Sequence, residues 1–229
     1  LLRAHVDGAL SAAIIAGLIA AACITITFAV SADTGTIVEE ATGTRFDQPT
    51  QYEGKTYRCL GVGVRKHAVL KIYALAFCVD TARAGTLVRE YAKTHHAGLE
   101  GEPLFDALRN DAQFFDTLAR NGHSRLVTLK MQRKVSRDQL ASTIRRSLTP
   151  LLTKAKLDEL DAAITQGAKK GQVVTISAVG PKLTVDVAGK ARTVEDEEVA
   201  RNLFLVWLGP DSVSPSLREN IARRAAFPP

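Results

Sequence analysis

Cysteine is scarce in this chain. Three residues in 229, Cys23, Cys59 and Cys78, are too few for a disulfide scaffold, and no two have the spacing of a zinc-binding pair. His95 and His96 adjoin in a polar stretch with no Cys, Asp or Glu at ligand spacing, so no metal site is expected. Eight Pro and 16 Gly exclude a collagen-like or low-complexity chain, and no internal repeat or low-complexity linker divides the sequence. No Ser-His-Asp arrangement and no phosphate loop is visible, and nothing calls for a cofactor. The basic pairs Arg145-Arg146, Lys169-Lys170 and Arg223-Arg224 are scattered and lack interleaved aromatics. They read as solvated faces rather than a nucleic-acid surface; contact with anionic lipid headgroups is the other use open to them.

What is present is an ordinary globular composition with one anomaly. Charged residues make up 24% of the chain and mean hydropathy is +0.01, values of a folding chain rather than a disordered one. Lys and Arg outnumber Asp and Glu by 30 to 24 for a net charge of +6, an excess that favours anionic partners in general. The anomaly lies at the start, where 25 consecutive residues from Gly8 to Ala32 carry no charge. Such a run serves as a secretory signal peptide, cut before Asp33 after the small residues Val30 and Ala32. Alternatively it is an uncleaved anchor, because a helix of that length, at about 1.5 Å per residue, crosses about 30 Å of hydrocarbon. Both readings export the rest of the chain, either into the periplasm or held on the membrane facing it. Membrane association through this segment therefore stays open. Residues 1–32 are set apart, and 33–229 are read as one domain, expected to be a monomer, that keeps the +6 because Arg3 and Asp7 leave together.

Within the domain, residues 34–50 are polar and turn-rich and read as an extended entry segment. Lys55–Val64 and Val69–Val79 are β-rich runs joined by the short break Arg65-Lys66-His67-Ala68, which predicts a hairpin. Gly61 and Gly63 let another segment approach the strand closely, or mark a bulge. Ala82–Ala92 and a continuous Glu102–Arg120 have helical spacing, the second ended by Asn121-Gly122. Arg125–Met131 reads as a strand. Ser136 and Gln139 form a capping box for a helix with Leu140, Ile144 and Leu148 on its apolar face, and a further helix carries Leu157, Leu160 and Ile164. Gln172–Ser177 and Lys182–Val187 make a second hairpin, with Thr184 and Asp186 on a wet face. A helix is expected from Thr193, its acidic start Glu195–Glu198 stabilised by the helix dipole, with Val199, Leu203, Val206 and Trp207 inward. Ser214-Pro215 opens the last helix, to about Arg224. Strands grouped with helices predict an α+β fold.

The most informative stretch is Leu60–Val79, LGVGVRKHAVLKIYALAFCV. A regular hairpin sets Arg65, Gly63, Gly61 and Cys59 against Tyr73, Leu75 and Phe77 on one face. The same parity carries Cys78 to the face opposite Cys59, so no disulfide is expected between them, although an oxidising compartment would permit one. A guanidinium and a phenol beside an apolar surface can grip a carboxylate, the Arg fork with two parallel hydrogen bonds and the Tyr hydroxyl with a third. Spacing alone leaves the plainer reading open, an exposed Arg at a turn and a Tyr in the core.

Gly61-x-Gly63-x-Arg65, followed by the run Lys71 to Phe77, resembles the chalcone isomerase-like family. Further matches follow in order: the strand and capped helix from Val127 to Leu148, the paired strands around Val173 and Val185, and Trp207-Leu208-Gly209 ahead of Val213-Ser214-Pro215-Ser216-Leu217. The resemblance implies a large antiparallel sheet with a layer of helices on one face and a ligand cleft between the layers.

It also implies two functions to weigh. True chalcone isomerases close a chalcone through an oxyanion held by the arginine that Arg65 matches. At Tyr73 they carry Thr, at Leu140 Tyr, at Ser147 Asn and at Val206 Thr, so four of five polar site positions are not matched here. The fatty-acid-binding branch pairs the Arg with a Tyr, as Arg65 and Tyr73 do, and the lost hydroxyls at Leu140 and Val206 suit an acyl chain. The expectation is an exported, non-catalytic binding protein for fatty acids or similar carboxylates, its cleft built from Arg65, Tyr73, Leu140, Ser147 and Val206. The alternatives are an isomerase or intramolecular lyase acting on another substrate, and an interaction protein with a vestigial cleft.

Overall fold

The computed structural model describes residues 35–228; the expected signal or anchor segment lies outside them. The described chain opens on β1 (Gly35–Glu39) and β2 (Thr44–Gln48), an antiparallel pair forming a sheet of its own. The stretch expected as an extended entry is therefore a hairpin. Its turn is held by one side chain: the Glu39 carboxylate accepts the backbone N–H groups of Ala41 and Thr42 and the Thr42 hydroxyl.

Seven strands then pair in sequential antiparallel order: β3 (Thr50–Tyr52), β4 (Lys55–His67), β5 (Leu70–Asp80), β6 (Arg125–Met131), β7 (Val173–Val179), β8 (Lys182–Val187) and β9 (Lys190–Glu195). Between β5 and β6 the chain forms α1 (Thr81–His95), α2 (Gly101–Asn110) and α3 (Ala112–Arg120). Between β6 and β7 lie α4 (Arg137–Leu148) and α5 (Lys154–Ala163). After β9 come α6 (Glu197–Asn202), α7 (Leu205–Leu208) and α8 (Pro215–Ala226).

Three elements depart from the sequence expectation, each for a local reason. The helix expected over Glu102–Arg120 breaks at Asp111. Its carboxylate caps α3 through the N–H groups of Gln113 and Phe114 and also accepts the Tyr91 hydroxyl. His96 Nε2 lies 2.9 Å from the same carboxylate, an acidic partner that adjacent sequence did not reveal. The helix expected from Thr193 starts instead at Glu197. A turn in which Asp186 accepts the Gly189 N–H, with Gly189 at φ +85°, folds Lys190–Glu195 back onto β8 as a strand, and Asp196 caps α6 through the Val199 N–H. The wet face expected on β8 is partly roofed. Thr184 is buried, and its hydroxyl and that of Ser177 donate to the Glu53 carboxylate. The capping box of α4 forms with both halves present.

β5 organises the interior. Every residue from Tyr73 to Val79 is buried, and alternate side chains feed two cores, as pleat geometry dictates. Tyr73, Leu75, Phe77 and Val79 join the large core with all the helices. Ala74, Ala76 and Cys78 join a smaller one, closed by Ile37 and Phe46 of the β1–β2 hairpin.

Beyond Tyr57, β4 has no strand on its outer side. α8 covers that edge: the N–H groups of Val62 and Val64 donate to Asn220 Oδ1 and Ser216 Oγ, each at 3.0 Å, and the Ser214 hydroxyl donates to the Val64 carbonyl. Ser214 thus stands at the N-cap position but spends its hydroxyl on the strand. Gly61 and Gly63 permit this approach, as their spacing implied. A Cβ on Gly63 would lie 2.6 Å from the Leu217 backbone nitrogen, and one on Gly61 would lie 2.6 Å from the Ile221 side chain.

Between Cys59 and Gly61 the ladder slips by one residue. The bulge absorbs Leu60 and reverses the parity below it, so Cys59 faces Cys78 and the two form a disulfide. This corrects the expectation from a regular hairpin.

Candidate functional site

A second slip, between Arg65 and Lys66, leaves Ile72 without a partner while Arg65 stays opposite Tyr73. A bulge bends its strand and re-aims side chains, and here both Ile72 and Tyr73 line one cavity. That cavity is a cleft of about 400 Å³ bounded by the outer half of the β4–β5 hairpin, β6, the 133–135 segment, α4 and Trp207 of α7. Leu70, Ile72, Leu129, Val135, Leu140 and Ile144 supply apolar wall.

Tyr73 is the buried polar group at its head. The phenol oxygen accepts the Trp207 indole N–H at 3.0 Å, and the Arg65 guanidinium carbon stands 5.9 Å from the ring centroid, at the outer range of a cation–π contact. Burial raises the Tyr73 pKa above its ordinary value, opposed by the positive charge of Arg65 and by hydrogen bonds from Trp207 and Arg65. The phenol therefore keeps its proton at neutral pH. With its oxygen already accepting from Trp207, that proton is free to be donated to an anion held by Arg65. As a proton-abstracting base the same group is disfavoured by the burial that makes it a donor.

The mouth is cationic. Arg65, Arg133, Lys134 and Arg146 line the cleft, with His67, Gln139, Ser142 and Thr143 as further polar groups and no Asp or Glu. Among the described residues none of these four Arg and Lys side chains forms an ion pair with a carboxylate. The pair Arg145-Arg146, read from sequence as one solvated face, is split by the helix. Arg145 bonds Asp158 and Asp161 of α5, while Arg146 borders the cleft.

Of the five residues expected in the cleft, the fold brings together Arg65, Tyr73 and Leu140. Ser147 does not line it; the turn of α4 carries its hydroxyl to the Thr143 carbonyl, 3.3 Å away. Val206 does not line it either. It is fully buried in the large core, and its neighbour Trp207 is the α7 residue that enters the site. Trp207 had a visible signal, being the only Trp in the chain, since a buried indole N–H needs an acceptor. Arg133, Lys134 and Arg146 had none, because they belong to different elements that only the tertiary fold brings to one rim.

By sequence, the chain matches no protein-family model and no curated protein. By structure, it is similar to the crystal structure of an Arabidopsis thaliana fatty-acid binding protein, with a TM-score of 0.65 and 19% identity over 84% of this chain and 98% of that one. The architecture reached from the residues upward, a large antiparallel sheet with helices packed on one face, is the chalcone isomerase-like fold.

Proposed function

We propose that the domain is an exported, non-catalytic binding protein for fatty acids or similar amphiphilic carboxylates. The observation that carries this reading is the head of the cleft, where a guanidinium without an acidic partner stands over a buried, protonated phenol beside an apolar wall. Arg65 would take the carboxylate through its fork and Tyr73 would donate a third hydrogen bond. The cleft volume of about 400 Å³ falls within the roughly 300–1,000 Å³ of small-molecule sites. Burying about ten methylenes at about 0.8 kcal/mol each supplies the gross free energy, and the polar head sets orientation. The Arabidopsis neighbour, named for fatty-acid binding, is in keeping with this reading. Export is supported by the charge-free run 8–32 and by the Cys59–Cys78 disulfide, which an oxidising compartment would preserve.

The test is calorimetric titration of a long-chain fatty acid into the wild type, Arg65→Ala and Tyr73→Phe. Loss of the charged anchor is expected to weaken binding about tenfold or more, and loss of the phenol proton by a few-fold. Unchanged affinity in Arg65→Ala removes the anchor. Native mass spectrometry before and after denaturation identifies the co-purified ligand, and turnover of naringenin chalcone would transfer the assignment to the isomerase alternative.

A further inference from the structure

We propose that the tip of the β4–β5 hairpin docks this domain on an anionic phospholipid bilayer. The tip is apolar where a tight turn in water favours Asn, Asp or Gly: it reads Ala68-Val69-Leu70. Ala68 holds φ +51°, a left-handed conformation that Ala disfavours, so turn formation does not explain the choice. Val69 is 89% exposed and Leu70 40%.

The second observation is the charge around this tip. Arg65, Lys66, His67 and Lys71 flank it along the two strands, and Arg133, Lys134 and Arg146 border the same cleft as Leu70. Among the described residues these six Arg and Lys side chains have no ion pair with a carboxylate; Lys71 donates to the Ala41 carbonyl. Some basic groups elsewhere are matched, as Lys156 is by Asp196 and Glu198 and Arg145 by Asp158 and Asp161; what sets this group apart is its place around an exposed apolar tip. An apolar finger within a basic collar fits an interface that offers hydrocarbon below a layer of phosphate. Neutral lipid lacks the counter-charge, and a second copy of the chain would bring like charge against like. The inference does not rest on the ligand assigned to the cleft. If both hold, the cleft opens where an amphiphile leaves the bilayer.

Because residues 8–32 could hold the full chain on any vesicle, the experiment reads where the tip sits rather than whether the protein sediments. In the 229-residue chain with Cys23→Ala, Val69→Cys carries an environment-sensitive nitrobenzoxadiazole label, and Ala82→Cys, in α1 just past the opposite end of β5, carries the control label. On vesicles with about 30% phosphatidylglycerol in phosphatidylcholine, the label at position 69 is expected to shift to the blue while the label at 82 stays in water. The shift is expected to vanish on pure phosphatidylcholine and in about 0.5 M salt. Adding Lys66→Glu and Lys134→Glu, outside the buried head of the cleft, is expected to lower the inserted fraction about tenfold. A label at 69 that stays in water on anionic vesicles carrying the chain overturns the proposal, as does an equal shift on neutral vesicles. A shift without vesicles overturns it in favour of self-association.

Discussion

The two ends of the β4–β5 hairpin share one ladder and behave as different materials. At the closed end, Cys59 and Cys78 are bridged, Tyr57 and Phe77 are fully buried and the β1–β2 hairpin covers the outer face. At the open end, Arg65 is half-buried, the cations are unpaired and Val69 projects into water. The middle is dry on both faces and pinned by α8 across Gly61 and Gly63. Two bulges separate the regimes, one at Leu60 and one at Ile72. The contrast teaches that a strand pair can be rigid at one end and receptive at the other without changing partners, because a one-residue slip reassigns every side chain beyond it.

That division can be broken in order of size. Replacing Cys59 and Cys78 together with Ala is expected to lower unfolding free energy by about 3 kcal/mol, since the bridge closes a loop spanning 19 positions. Urea denaturation measures this, and a fatty-acid affinity that falls along with it would show that the closed end supports the open one. Gly63→Ala is expected to cost about 2 kcal/mol because its Cβ meets Leu217 backbone rather than a movable side chain. Gly61→Ala should cost less, because its nearest contact is the Ile221 side chain.

A third effect is a pH dependence located at the closed end. His123 is buried, and that burial, aided by the positive charge of Arg125, lowers its pKa to about 4. In the unfolded chain the ring titrates near its ordinary value, so between about pH 6.5 and pH 4 the unfolded state binds the extra proton. Stability is therefore full above about pH 6.5 and falls as the pH drops toward 4, by up to about 1.4 kcal/mol per pH unit from this group. Denaturation midpoints at pH 7, 5.5 and 4.5 for wild type and His123→Gln measure the slope, which the variant should flatten. The smallest expected stability change belongs to the open end. Arg65→Ala should alter unfolding free energy by no more than about 0.5 kcal/mol while weakening ligand binding about tenfold. A large stability loss in that variant would mean that Arg65 is a structural residue and not a held-open anchor.

Much of this division was legible in the residues. Arg65 and Tyr73 were placed opposite each other by assuming a regular hairpin, and they do pair, but only because a bulge at Ile72 offsets the short turn at Ala68-Val69. The close approach at Gly61 and Gly63, the α4 capping box and the Pro215 start of α8 were legible because each is set within a few residues. The disulfide was not, since parity cannot register a bulge whose extra residue, Leu60, has no distinctive chemistry. The last three residues of β9, Thr193–Glu195, read as helix because the acidic run Glu195–Glu198 looks like a helix start whether the helix opens at Thr193 or at Glu197. The resemblance located Ser147 and Val206 by alignment, whereas Thr143, one turn earlier on α4, and Trp207, the next residue on α7, are the ones at the cleft.

By itself the sequence determined the features that nearest neighbours along the chain control: the α+β class, the hairpin and the caps. Tertiary structure alone decided which strands slip, that Trp207 would hold the Tyr73 oxygen, and that unpaired cations from three segments would ring one apolar cleft. Local geometry is encoded over a few residues by dihedral preference and hydrogen bonding. A rim is encoded nowhere along the chain, because it exists only once packing has brought distant elements to the same edge.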